Sequence, residues 1–249
     1  MSYNPYSLQE KRILVTGASS GIGLATAIEC AKLGAKVIIT GRNEERLKET
    51  FRELEGEGHL MITADLSDDN GIHELAKDMP PVNGIVHAAG IGDTLLFQFM
   101  KIERLMSIFN TNFFAPVLLS QSLLKKKLLT SGGSIVFLSS IDGPLTVHAG
   151  NSMYSATKGA VSAIMKNMAV ELSVKSIRVN AVLPGMTETP LIHNSNITQE
   201  QLNEDMKLYP LKRYAEPREI ALAIIYLLSD ASSFTTGASL VVDGGFSLL

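Results

Sequence analysis

The chain has 249 residues, 45% of them hydrophobic and 19% charged, with a formal net charge of -3 and a pI near 6.0. This balance suits a globular protein with a full core and leaves no basic footprint for nucleic acid. A single cysteine, Cys30, excludes an internal disulfide. No apolar run approaches the ~20 residues of a membrane span. The polar stretch 1–10 lacks a signal core, so a cytoplasmic protein is expected.

In chain order, Lys11-Arg12-Ile13-Leu14-Val15 predicts a strand. Gly17-Ala18-Ser19-Ser20-Gly21-Ile22-Gly23 then reads as a glycine-rich turn inside which a helix opens. Cys30 falls in that helix beside Ala27 and Ala31, a core position. A second strand over 35–40 ends at Gly41-Arg42, and Asn43 is placed to cap a second helix. A third strand covers 60–63, a helix runs from about 68 to 77, and Pro80-Pro81 closes it. A fourth strand over 84–87 ends in Ala88-Ala89-Gly90. A long helix is expected from about 103 to 129, with an irregularity at Pro116. A fifth strand over 134–138 precedes a helix from about 153 to 173 and a sixth strand over 177–182. From Pro184-Gly185 to about 217 the segment reads as polar and irregular. A helix over 218–229 and a strand over 239–242 finish the chain.

This alternation predicts an α/β fold: a doubly wound, mostly parallel sheet of about seven strands with helices on both faces. No linker interrupts it, so residues 1–249 read as one domain. Ligands in such sheets bind beyond the carboxyl ends of the strands. Gathered there are Gly17 to Gly23, Gly41-Arg42, Asp65-Leu66, Ala88 to Gly90, Ser139-Ser140 and Pro184-Gly185.

In the turn, Gly17 lets the chain leave the strand, Gly21 lets backbone approach a ligand, and Gly23 lets the helix pack on the sheet. The free N–H groups and positive dipole end of that helix suit an anion, and a dinucleotide pyrophosphate is its usual form. The same residues satisfy Gly-x-Ser-x-Gly, the hydrolase nucleophile elbow. That reading fails because only a polar tail precedes Lys11, with no strand and loop to complete an oxyanion hole. Tyr154 and Lys158 stand at i and i+4 on one helix face. Alone, such a pair usually marks a solvated face; Ser140 at the preceding strand end singles this one out. The five histidines show no ligand spacing, and no metal is expected.

With Thr16-Gly17-Ala18-Ser19-Ser20-Gly21-Ile22-Gly23, Asp65-Leu66, Ala88-Ala89-Gly90, Asn112, Ser140, Tyr154-x-x-x-Lys158, Asn180, Pro184-Gly185 and Val242-Asp243-Gly244-Gly245 in that order, the chain resembles the single-domain short-chain dehydrogenase/reductase family. Its pattern is closest to 3-oxoacyl-[acyl-carrier-protein] reductase-like members. His87 departs from the family's usual Asn, with an expected effect on sheet-edge hydrogen bonding, and the loop from Ser140 to Tyr154 is about a residue longer. The resemblance implies a nicotinamide-dependent oxidoreductase interconverting a ketone and a secondary alcohol. Tyr154 would be the acid/base, and Ser140, rather than Ser139, would hold the substrate oxygen. Lys158, with the oxidised nicotinamide, would favour the phenolate and also grip the ribose, and Asn112 would anchor a water. Cofactor contacts fall to Gly17, Ser19, Ser20, Gly21, Ile22, Gly23, Arg42, Asp65, Leu66, Ala89, Gly90, Tyr154, Lys158, Pro184, Gly185, Thr187 and Thr189. Of these, Asp65 and Leu66 would meet the adenine and the two threonines the nicotinamide amide.

NAD-specific relatives place an acid after the second strand to bind the ribose 2′-hydroxyl. Here Gly41 takes that place, followed by Arg42 and with Ser19 nearby, so NADP(H) is expected over NAD(H). A non-catalytic dinucleotide sensor would lack Tyr154 or Lys158. An epimerase or dehydratase of the extended relatives would need a larger C-terminal lobe. The substrate is a small ketone or alcohol, with a carrier-protein-bound 3-oxoacyl group as the alternative; Lys125, Lys126, Lys127 and Lys175 are its weak signal. Residues 186–213 are expected to form the substrate lid, and His148 reads as a solvent-exposed loop residue, with the wall of the substrate pocket as its alternative place. A homotetramer is implied by the family and by Phe113, Leu118, Ile164, Met165, Met168, Phe246, Leu248 and Leu249.

Overall fold

The computed structural model describes residues 3–193 and 198–249. Among them, β1 (Arg12–Thr16), β2 (Lys36–Gly41), β3 (Leu60–Thr63), β4 (Val82–His87), β5 (Leu129–Leu138), β6 (Arg178–Pro184) and β7 (Ser239–Val242) form one sheet. Its order is β3-β2-β1-β4-β5-β6-β7, and every neighbouring pair is parallel. The chain reverses its direction of travel across the sheet between β1 and β4, which opens a crevice at their carboxyl ends.

The helices are α1 (Gly21–Lys32), α2 (Glu44–Arg52), α3 (Asp69–Asp78), α4 (Ile102–Phe109), α5 (Ala115–Lys125), α6 (Ser152–Leu172), α7 (Pro190–His193), α8 (Gln199–Leu208) and α9 (Pro217–Leu228). Strand side chains alternate between two cores. Leu14, Ile38, Ile85 and Ile135 cluster with residues of α3, α5 and α6. Ile13, Val37, Val86 and Val136 cluster with α1, α2 and α9, where Cys30 is fully buried. Burial on both faces is why the strands read as nearly unbroken apolar runs. Asn43 caps α2 by accepting from Arg46 N at 2.9 Å, and Asp68 caps α3 through Gly71 N at 2.7 Å.

Three expected elements are corrected. The helix expected from about 103 to 129 is two helices, α4 and α5, joined by a single π-helical turn over Asn110–Phe114. Pro116 explains the break. It has no N–H to give the carbonyl of Asn112 four residues earlier, and its ring pushes that carbonyl aside, so the turn widens. Second, Leu129 does not end a helix but begins β5, pairing with Val82. A register shift between Val82 and Gly84 absorbs the polar Thr130-Ser131-Gly132-Gly133 stretch, which reads as loop from sequence. Third, the segment expected as irregular contains α7 and α8. Thr198 starts α8 with a capping box to Gln201.

α7 and α8 carry Ile192 and Leu202 into a small cluster with Tyr209 and Tyr214, and Phe246 packs on it. Residues 194–197 of the expected lid lie outside the described residues. His87 closes the carboxyl end of the central β4, 4% exposed, with Nε2 2.8 Å from Ser120 Oγ and its ring stacked on Phe137 at 4.9 Å. It thus ties the sheet to α5. Met165, expected on an apolar surface, is fully buried in the core, while Leu248 and Leu249 are exposed.

Candidate active site

Thr16 ends β1, and its Oγ1 accepts from Ala88 N at 3.1 Å and Ala89 N at 3.2 Å. The glycine turn therefore lies against the Ala88-Ala89-Gly90 run. Gly17 has a left-handed φ of 65°, and a Cβ there would stand 2.7 Å from the Ala89 backbone. A Cβ on Gly23 would run into the Gly17 carbonyl oxygen. At the start of α1, Ser20 makes no side-chain cap bond and the first turn holds no acid. The first N–H groups of the helix, around Gly21, Ile22 and Gly23, are thus left for an outside acceptor. Such a cradle fits a dinucleotide pyrophosphate. Thr189 sits over it, 3.1 Å from where a Gly21 Cβ would be.

At one end of the crevice Ser19 Oγ lies 3.5 Å from the place of a Gly41 Cβ, beside the exposed Arg42. Burial opposes ionisation of Asp65, but hydrogen bonds from Ser67 and the Arg42 charge hold its carboxyl below the usual range. Leu66 is buried in the core beside it. On the other side, Gly185 N donates to Val242 O at 3.0 Å, and the buried Thr187 donates to Gly185 O at 3.1 Å. This holds the chain after Pro184 against β7. Asn180 is spent within the fold, bonding Thr235 O at 2.9 Å and Ala238 N at 3.0 Å.

The reacting groups meet where β4 and β5 end. Lys158 is 5% exposed, donates to Leu138 O at 2.7 Å, and has its Nζ 5.4 Å from the Tyr154 ring centroid. The wide turn aims Asn112 at the loop after β4, where it exchanges hydrogen bonds with Ile91 N and O, each 2.9 Å. A Cβ on Gly90 would lie 3.4 Å from Asn112 Oδ1 and 3.8 Å from Lys158 Nζ, so these three are packed together. Ser140 stands near enough to Tyr154 to oppose the rise of its phenol, whereas Ser139 donates to Lys158 O at 3.0 Å and pairs with Ser162 at 2.9 Å. Ser139 holds α6 to the sheet, and Ser140 faces the phenol.

Burial pushes Tyr154 up to about 12, with Ser140 opposing and the Asp142 charge adding to the rise. Burial also lowers Lys158 to about 8. In the protein alone Tyr154 is thus held as the phenol, the form that donates a proton. The lowering expected from Lys158 together with an oxidised nicotinamide is not supplied by Lys158 by itself.

Sequence reasoning missed Asp142 and Asn151, whereas His148 is the exposed loop residue expected and borders a cleft as well. Asp142 is buried, accepts from Asn151 Nδ2 at 2.9 Å, and has Oδ1 3.3 Å from His148 Nδ1. Thr94 ties Asn151 to the loop after β4 at 3.3 Å. His148 borders a cleft of about 390 Å³ together with Leu96, Phe97 and Val147. The only sequence signal was position: Asp142 lies two residues after Ser140, and Asn151 one helical turn before Tyr154.

A family model described as enoyl-(acyl carrier protein) reductase matches residues 17–247. Fold and match define an oxidoreductase acting on CH–OH and carbonyl groups, of a kind that uses NAD(P)(H). The chain belongs to the short-chain dehydrogenase/reductase family. It is 36% identical over 243 residues to a 3-oxoacyl-[acyl-carrier-protein] reductase of Mus musculus, covering 96% of this chain and 99% of that one. It is 34% identical over 248 residues to an L-xylulose reductase of Caenorhabditis elegans, covering 97% and 98%. A solved structure of a short chain dehydrogenase/reductase family protein superposes with a TM-score of 0.86 at 35% identity, covering 98% of this chain and 100% of that chain.

Proposed function

We propose that the protein is an NADP(H)-dependent reductase that converts a ketone to a secondary alcohol, with Tyr154 as the proton donor. The convergence of Tyr154, Ser140 and Lys158 beside the glycine turn carries this reading. The bound dinucleotide supplies the hydride. Ser140 holds the carbonyl oxygen and stabilises the charge that develops on it. Tyr154, a phenol in the protein alone, donates its proton to that oxygen. Lys158 stands next to the phenol and carries its charge into a buried site, favouring the phenolate that proton transfer leaves. Asn112 fixes the Gly90–Ile91 loop against Lys158. At the far end, Arg42 and Ser19 would receive the 2′-phosphate that an acid at position 41 would repel. Residues 1–249 act as one domain, with 186–213 covering the substrate.

A 3-oxoacyl thioester is the second reading, favoured by the likeness to a reductase named for that substrate and by the apolar wall of Leu96, Phe97 and Val147. The test is a panel of ketones, ketoses and 3-oxoacyl thioesters assayed with NADPH and with NADH. Turnover at least tenfold more efficient with NADPH is expected, from a charge-assisted Arg42 contact of roughly 1.5–3 kcal/mol. Preference for NADH, or no turnover of any carbonyl, contradicts the reading.

A further inference from the structure

We propose that Asp142 and His148 form a charge pair that positions the Tyr154 proton transfer, His148 cancelling a buried carboxylate that would otherwise oppose the phenolate. The inference rests on the role of Tyr154 proposed above. Asp142 is 5% exposed and gives its own N–H to Ser140 Oγ at 3.0 Å, so it is joined directly to the serine beside Tyr154. Asn151 serves Oδ2 at 2.9 Å. Oδ1 is buried with no well-aligned donor, and His148 Nδ1, 3.3 Å away, is the group placed to serve it. A buried carboxylate oxygen so placed calls for a cation.

The surroundings favour the charged form of the imidazole. The Asp142 carboxylate raises His148 above the ordinary imidazole range, partial burial opposes it, and Asp205 of α8 adds a smaller attraction. The Phe246 ring packs 6.0 Å from the imidazole, and Tyr209 behind it feels Asp205 and Asp243. On the phenol's side the charged neighbours are Lys158 and Asp142.

The two reaction directions need opposite forms of Tyr154. Ketone reduction consumes the phenol, whereas alcohol oxidation needs the phenolate as base. An uncompensated negative charge nearby penalises only the phenolate. While His148 is protonated, Asp142 is neutralised and both directions run. When His148 loses its proton or is replaced, the phenolate lies higher, so oxidation needs a higher pH to form its base and reduction loses part of the stabilisation of the phenolate it leaves. The pair thereby sets the pH above which the Tyr154 phenolate is available as base.

The experiment measures kcat/KM against pH in both directions for the wild type, His148→Gln, Asp142→Asn and the double variant. It uses the fastest ketone of the panel and the corresponding alcohol. His148→Gln should move the acidic limb of the oxidation profile up by about 0.5–1 pH unit. Oxidation on that limb should then be roughly three- to tenfold slower. Adding Asp142→Asn should return the limb to its wild-type position. An unmoved limb, or a double variant no better than the single one, overturns the proposal, since a purely structural role predicts that outcome. Should the double variant fail to fold, NMR titration of the His148 imidazole decides. Its midpoint should fall in Asp142→Asn, and an unchanged midpoint overturns the pair. A wild type that turns over no carbonyl overturns this proposal and its parent together. A fully active Tyr154→Phe variant sinks the parent reading specifically.

Discussion

A histidine packed among apolar side chains is neutral because its cation has no water to hold it. Burial lowers His87 to about 3. Ser120 spends its proton on Pro116 O at 2.8 Å, so it accepts from His87 Nε2–H and fixes that tautomer. In the unfolded chain the imidazole titrates at 6.5. Between the two values the unfolded state binds the extra proton, so stability falls as pH drops from about 6.5 toward 3. The loss is at most about 1.4 kcal/mol per pH unit. Thermal unfolding at pH 7 and pH 5 should show a smaller drop for His87→Asn than for the wild type; equal drops would contradict this account. Just past the carboxyl end of β2, Arg42 carries the proposed cofactor preference. The double variant Gly41→Asp/Arg42→Ala should reverse the NADPH preference by roughly ten- to a hundredfold, measured as the ratio of catalytic efficiencies. A ratio left unmoved would mean that Arg42 only begins a solvated helix.

Local patterns were readable where one short-range force dominates. The Asn43 cap, the Pro80-Pro81 stop and the last strand lie where local chemistry puts them. The same holds for the glycine turn, whose geometry the backbone alone demands. Gly23→Ala would force a Cβ into the Gly17 carbonyl, an overpacking cost of roughly 1–3 kcal/mol in a turn with no room to yield. A lower melting temperature and at least tenfold weaker NADPH binding in a fluorescence titration are expected; wild-type binding would show that the turn is not the cofactor cradle. Elements decided by tertiary pairing were harder. Thr130 to Gly133 looks like loop because its only reason to be a strand is the bulged register against β4. Pro116 was recognised as an irregularity, but its consequence falls four residues earlier, on Asn112. The Thr198–Gln201 capping box was present in the sequence and outweighed by the polar character around it.

At the scale of the molecule, parallel crossovers bring residues from the ends of β1, β4, β5 and β6 to one crevice. That is why Gly17, Ala89, Ser140 and Gly185 could be gathered from sequence by counting strand ends, while Asn112 and Lys158, on helical turns, were reached through the family resemblance. Asp142 and His148 could not. They belong to an irregular loop whose path depends on packing against Asn151 and Phe246. The apolar surface was misread in part, because helix periodicity alone does not say which stripe meets the sheet, and Met165 proved to be core. Ile102, Met106, Phe114 and Leu118 remain exposed on α4, the wide turn and α5, and we propose that they lie in an interface of a homotetramer. Light scattering at micromolar concentration should show a mass well above the 26.9 kDa of one chain; a lone species of that mass would refute it.

The account turns on the phenol of Tyr154. Tyr154→Phe keeps the ring beside Lys158 and removes only the transferable proton. NADPH-dependent turnover of the best ketone should fall by roughly a hundredfold or more while NADPH affinity is retained. Turnover near that of the wild type in the purified, folded variant would contradict the account.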